Sequence, residues 1–107
     1  MRKQVAKRAV GPVMLGVGPR TSFGPWAVGD VVLTRTVTMN HIGRIRAIAD
    51  GLLIMSEGGW LADSGRWSTM LKSGLVHEFE REPGTFAIAT GSLVDIRAWP
   101  FPIPDTK

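Results

Sequence analysis

The chain has 107 residues, 44% hydrophobic and 21% charged, enough for one modest core and too apolar for general disorder. It has no cysteine, which excludes disulfides, thiolate metal sites and cysteine nucleophiles, and no apolar run near the ~18 residues that a bilayer span needs. The net charge of +4 is uneven: residues 1–20 hold Arg2, Lys3, Lys7, Arg8 and Arg20 with no acid, while residues 21–107 hold eight Lys or Arg against nine Asp or Glu.

The N-terminal stretch 1–28 reads as a basic arm punctuated by glycine and proline. Neither a period of 2 nor one of 3.6 persists there, apart from a short helical run at 2–9. Gly11, Pro12, Gly16, Gly18 and Pro19 interrupt any signal-like apolar core, so the expectation is a soluble, non-secreted protein. A basic arm on a near-neutral body suits a negative partner, either nucleic acid or an acidic protein surface; a solvated terminus explains the same composition.

From Val31 the pattern becomes β. VVLTRTVTM is rich in β-branched residues, with alternation that predicts a strand. Asn40-His41 is expected to turn the chain into a second strand, HIGRIRAIA. Asp50-Gly51 is a strong type I′ hairpin signal, because both central residues of that turn need positive φ. LLIMSE follows as a third strand, and Gly58-Gly59 is expected to break it.

WLADSGRW, 60–67, then brackets an acid, a serine, a glycine and an arginine between two tryptophans. Asp63 or Ser64 is placed to cap a helix over 66–72, stopped by Ser73-Gly74. Trp60 and Trp67 are expected to bury apolar area over the open end of the body, with Arg66 paired to Asp63. VHEFERE reads as an edge strand, and TFAIAT and SLVDIRAW as two more strands. The tail from Pro100 carries Pro at 100, 102 and 104 and is expected to be extended. The fold expectation is mainly β: a small SH3-like or related barrel of five to six short strands with one short helical crossover and extended terminal arms. The divisions are an arm 1–28, a barrel 29–99 and a tail 100–107.

Little in the chain points to chemistry. Asp63-Ser64-Gly65 resembles the surroundings of a protease nucleophile, but a triad needs base and nucleophile held in register, and a chain this short is about half of such a scaffold. The two histidines, His41 and His77, lie 36 positions apart with no metal-ligand spacing, so no metal or cofactor is expected. GVGPR, 16–20, lacks the lysine and the spacing of a phosphate loop. Nucleic-acid binding is the main alternative: Arg35, Arg44, Arg46 and Arg97 would form one surface, though the body lacks a strong positive field. Protein recognition fits the two unusual termini best. Arg2, Lys3, Lys7, Arg8 and Arg20 in the arm, and Trp99, Phe101 and Ile103 in the tail, are the candidate partner-binding residues, the other reading of the tail being that it packs on its own domain.

RTVTM at 35–39, the Gly43-Arg44 step, LLIMSE and WLADSGRW together resemble a group of small uncharacterised phage and prophage proteins. These carry an RTVT strand and a W-[IL]-A-D-[ST]-G-R-[FW] stretch. The likeness covers about residues 29–74 and, more loosely, the strand ending in WPFPIP. This chain departs from it at Ile42, Ser64, Trp67 and Gly58-Gly59, and in its long arm. The resemblance implies a non-enzymatic virion component assembled in the host cytoplasm, most simply a capsid decoration protein present in many copies or as a homo-oligomer. Its partner would be the major capsid protein or another virion protein, with no membrane involved.

Overall fold

A computed structural model describes residues 20–107. Arg2, Lys3, Lys7, Arg8 and the helical run expected at 2–9 lie outside those residues. The described chain is mainly β with one short helix.

The body starts earlier than residue 29. Ser22–Phe23 (β1) and Trp26–Ala27 (β2) form a small hairpin, and the Arg20 N–H donates to the Ile48 carbonyl at 2.8 Å. Phe23 and Trp26 pack against a buried cluster of the main sheet, so residues 20–28 belong to the domain rather than to a free arm. Apolar area at two aromatic residues outweighs the Gly24-Pro25 punctuation that made the stretch look like a linker.

Val31–Thr36 (β3), Asn40–Ala49 (β4) and Leu52–Asp63 (β5) form the antiparallel meander. Asp50 and Gly51 take φ of 54° and 74°, and Ala49 faces Leu52 across them, the two-residue turn that the sequence signals. The expected Asn40-His41 turn is displaced. The chain turns at Val37–Met39, where the Thr36 hydroxyl accepts from the Met39 N–H at 3.1 Å, and Asn40 and His41 already pair within β4.

Gly58-Gly59 does not break the third strand; both residues lie inside β5. A Cβ on Gly58 would stand 1.8 Å from the Ile42 carbonyl oxygen, and one on Gly59 would stand 1.9 Å from that of Glu80. The glycines therefore admit neighbouring backbones on both sides, the second reason a strand carries glycine. Glu57, at φ 60°, sits in a bulge where β5 has one residue more than β4 between the Arg44–Ser56 and Ile42–Gly59 pairs.

Trp67–Ser73 (α1) follows and ends on Gly74, whose φ of 77° lets its N–H donate back to the Met70 carbonyl. Glu78–Arg81 (β6) pairs with the far half of β5, and Thr85–Ala89 (β7) pairs with its near half. A 3-10 turn at Thr90–Ser92 leads into Leu93–Ala98 (β8), which pairs with β3. The strands run β6–β5–β4–β3–β8 with β7 beside β5, an open path; closure into a barrel is not among the described pairings.

Two buried clusters lie on opposite faces of this sheet. Leu33, Ile42, Leu61, Met70, Val76, Phe79 and Trp99 fill the face covered by α1 and the tail. Val32, Ile45, Ile48, Leu53, Met55 and Ile88 fill the other, under the β1–β2 hairpin. Adjacent Val32 and Leu33 serve different clusters, as the pleat requires.

The tail is part of the core rather than an arm. Trp99 is buried, its Nε1–H donates to the Pro102 carbonyl at 3.1 Å, and Phe101 meets its ring edge-on at 5.2 Å. Phe101 also lies over Gly74, where a Cβ would stand 2.5 Å from its ring. Trp99 is therefore not available to a partner, and Phe101 and Ile103 are half-buried. Three prolines without N–H groups suit a strap that packs by side chains over a hydrophobic face.

Candidate functional site

The WLADSGRW stretch is local architecture, arranged differently from expectation. Trp60 projects from the face of β5 away from α1, the face that its cross-strand partner His41 shares, and 36% of its surface is exposed, so it does not close an end of the body. The bulge at Glu57 sets this alternation: Leu61 turns to the helix-covered cluster and Trp60 to the other face. Asp63 and Ser64 do not cap α1. The N-cap position is Arg66, and it makes no side-chain capping bond. Instead the Asp63 Oδ1 accepts from the Gly65 N–H at 2.9 Å, closing an Asx turn over Ser64 with Gly65 at φ 68°. Asp63 lies three residues ahead of the helix cap, too early to reach its first N–H groups. Its other oxygen is 3.9 Å from His77 Nδ1, and among the described ion pairs none joins it to Arg66.

The same geometry bears on the serine. Ser64 Oγ donates to the Gly65 carbonyl at 2.8 Å, so its hydroxyl is held by its own chain. His77 is near Asp63 but exposed, and no bond joins it to Ser64 among the described residues. Nor do the described residues include any group of three or more His, Cys, Asp or Glu placed to hold a metal, or a helix long and apolar enough to cross a membrane.

The polar centre of the molecule lies elsewhere, on β3 and β8. Register places Arg35 directly opposite Asp95. The Arg35 Nε donates to Asp95 Oδ2 at 2.9 Å, and its Nη2 bonds the same carboxylate. Arg97, two positions along β8 and on the same face, donates to Asp95 Oδ1 at 2.7 Å. Both guanidiniums lie over the Trp67 ring, 5.4 and 5.5 Å from its centre. Trp67 is thus half-buried beneath two cations. The Arg35 hydrogen bond is the main cause holding the Asp95 carboxyl below its usual range, with Arg97 adding to it; the same bond raises Arg35. The sequence shows the D-I-R alternation but gives no hint that β3 would supply the second arginine. The four arginines expected on one surface separate: Arg35 and Arg97 share this cluster, Arg44 pairs with Glu57 and the Gly29 carbonyl, and Arg46 lines a cleft.

That cleft, about 730 Å³, opens between β4, β5, the β6–β7 turn and the tail. Arg46, Arg81, Glu57, Glu82 and Asp105 line it, with Arg81 tied to Asp105 at 3.3 Å. Ser56 Oγ is buried at its wall without a hydrogen-bond partner among the described residues. His41 is a second inward-facing polar group that sequence reasoning took for a turn residue. Its ring lies 5.3 Å from that of Phe86, its Nδ1 is buried without a partner among the described residues, and its Nε2 is 3.8 Å from Glu82. Burial pushes its pKa down, against a smaller upward pull from Glu82.

Arg20 is the only described member of the proposed basic arm; it is exposed and held to Ile48 through its backbone. Several apolar side chains stand in solvent: Val37 at 89%, Leu75 at 65% and Val94 at 56% exposed. No family model matches the chain, and neither does any curated protein or solved structure.

Proposed function

We propose that this chain is a non-enzymatic structural protein of a phage particle that decorates or cements the capsid. One structural observation carries the reading. The members of two polar clusters, Arg35–Asp95–Arg97 and Asp63–Ser64–Gly65, are bonded to each other or to their own backbone, while large apolar side chains stand exposed on the same body. Such a surface is suited to contact rather than turnover. The RTVT and WLADSGRW resemblance supports the phage setting. Many copies on a shell would multiply a weak contact through avidity, and the five basic residues of segment 1–20 supply charge for an acidic surface of the major capsid protein.

The alternative is a small nucleic-acid-binding or regulatory protein made during infection. It has less support, because Arg35 and Arg97, the arginines nearest an aromatic ring, already cover that ring and share a carboxylate.

Quantitative mass spectrometry of gradient-purified particles tests the proposal. A fixed, high ratio to the shell protein is the expected result. Absence from particles, with the chain free in the lysate, would overturn it.

A further inference from the structure

The cleft between β4, β5, the β6–β7 turn and the tail owes its lining to two irregularities in strand pairing. β4 pairs Ile45 with Met55 and Ala47 with Ile54, so Arg46 is an extra residue with nothing opposite it, and it is exposed. On β5 the bulge at Glu57 adds a second extra residue. Both Arg46 and Glu57 line the cleft. A bulge re-aims a side chain out of the regular alternation, and here two bulges bring charge to one place.

The charges in this cleft are not all answered. Glu57 accepts from the Arg44 Nε at 3.2 Å, and Asp105 lies 3.3 Å from the Arg81 Nη1. Arg46 has neither an ion pair nor a side-chain hydrogen bond among the described residues, and residues 1–19 contain no acid to supply an ion pair. Its guanidinium carries five N–H donors. Ser56, at the same wall, is 6% exposed, and its hydroxyl has no partner among the described residues. A buried donor without an acceptor is costly. The cleft therefore holds a cation and a buried hydroxyl that both lack an acceptor.

We infer that this cleft binds a carboxylate, which Arg46 grips through its guanidinium and which gives the Ser56 hydroxyl the acceptor it lacks. The planar fork of a guanidinium suits carboxylate and phosphate alike, so the remaining charges decide between them. Glu82 also lines the cleft, 3.8 Å from the His41 Nε2. Burial keeps that imidazole neutral at pH 7, and Glu82 retains its charge there. A singly charged carboxylate matches the one unpaired guanidinium. A phosphate dianion brings a second negative charge that Glu82 opposes and no group in the cleft meets.

The carboxylate belongs to a small organic acid or to an Asp or Glu side chain that a protein presents, and a cleft of about 730 Å³ admits either. The inference stands apart from the particle reading.

The test follows backbone amide shifts of the isotope-labelled full chain by NMR, at constant ionic strength and neutral pH. The probes are acetate, its uncharged counterpart acetamide, inorganic phosphate, and the blocked tripeptides acetyl-Gly-Glu-Gly-amide and acetyl-Gly-Gln-Gly-amide. Acetate and the Glu peptide are expected to shift the amides of Arg46, Ser56, Glu57 and Thr85, with dissociation constants in the roughly millimolar range. Acetamide and the Gln peptide leave them in place. Arg46→Gln weakens binding about tenfold and Ser56→Ala about threefold. Glu82→Gln tightens it, because the opposing charge is gone. Arg66→Gln, at an exposed arginine outside the cleft, leaves it unchanged. Circular dichroism checks that the variants are folded. Tighter binding of the Glu peptide than of acetate assigns the site to a protein side chain, and the reverse assigns it to a small acid. Absence of shifts at these amides would overturn the inference. So would equal shifts with acetamide, unchanged binding in folded Arg46→Gln, or a preference for phosphate.

Discussion

Phe79 and Lys107 exchange both backbone hydrogen bonds, at 3.0 and 2.9 Å, so the last residue of the chain continues the sheet beyond β6. Phe79 is fully buried in the helix-covered cluster, and its main chain would otherwise form an open edge. Deleting Asp105–Lys107 removes these bonds and the Thr106 and Asp105 contacts to Arg81. The expected outcome is faster amide exchange at Phe79 and Arg81 and concentration-dependent association through β6. Hydrogen exchange and light scattering would measure these; unchanged protection at Phe79 would refute the role given to the tail.

The two tryptophans flanking the tail and the bulge should respond unequally. Trp99→Ala removes a buried aromatic together with its bond to the Pro102 carbonyl, and should cost about 3–5 kcal/mol. Trp60→Ala acts on a partly exposed strand face and should cost about 1 kcal/mol. Urea titrations of both variants would show the ordering, and a larger loss at Trp60 would contradict the placement of that face.

Gly58→Ala and Gly59→Ala should each prevent the chain from folding soundly, because the added methyl meets backbone rather than a movable side chain. Gly91→Ala, where nothing lies within 4 Å of the added carbon, serves as the tolerated control. Soluble yield and thermal melting compare the three. A Gly58→Ala protein that melts like wild type would mean that β4 and β5 are not so closely apposed.

His41 and Asp95 give stability two separate pH windows. Burial lowers the His41 pKa on folding, so the unfolded chain binds more protons once pH drops below the usual 6.5, and stability falls from there toward the depressed value. Asp95, held low mainly by Arg35, contributes stability that is present above its usual 3.8 and lost as pH falls through its lower folded value. Denaturation midpoints taken from pH 8 to 3 should decline in both windows. His41→Asn should flatten the upper decline and leave the lower one. A variant that keeps the upper decline would assign it to another group.

Local signals in the sequence translated well into structure. Asp50-Gly51 specifies its turn by φ alone, and Gly74 ends its helix the same way, so neither depends on distant partners. The alternation in VVLTRT and DIR likewise marks strands. Features set by distant chain were not legible. Gly58-Gly59 looks identical whether it breaks a strand or admits two neighbouring backbones, and only the positions of Ile42 and Glu80 decide. Trp60 and Trp67 look alike as flanking aromatics, but the extra residue near Glu57 exchanges the faces of β5. The Arg35–Asp95–Arg97 cluster joins positions sixty residues apart, and the proline-spaced tail became part of the core because Trp99 and Phe101 found Met70 and Gly74.

The β4–β5 hairpin contains two such extra residues, one on each strand, at Arg46 and near Glu57. Because of the first, Ile45 and Ile48 share a core although they stand three apart. Removing Arg46 alone would bring Ile45 and Ile48 to a spacing of two, which regular alternation already places on one face, with Met55, Ile54 and Leu53 kept as partners. Inserting or removing a residue where the pairing is regular, as at Leu53, would instead turn one side of the hairpin to the opposite face. The hairpin should therefore accept the loss of this extra residue and refuse single-residue changes of length elsewhere. Length variation is better accommodated at Val37–Met39, where the loop stands in solvent and no core position depends on the count.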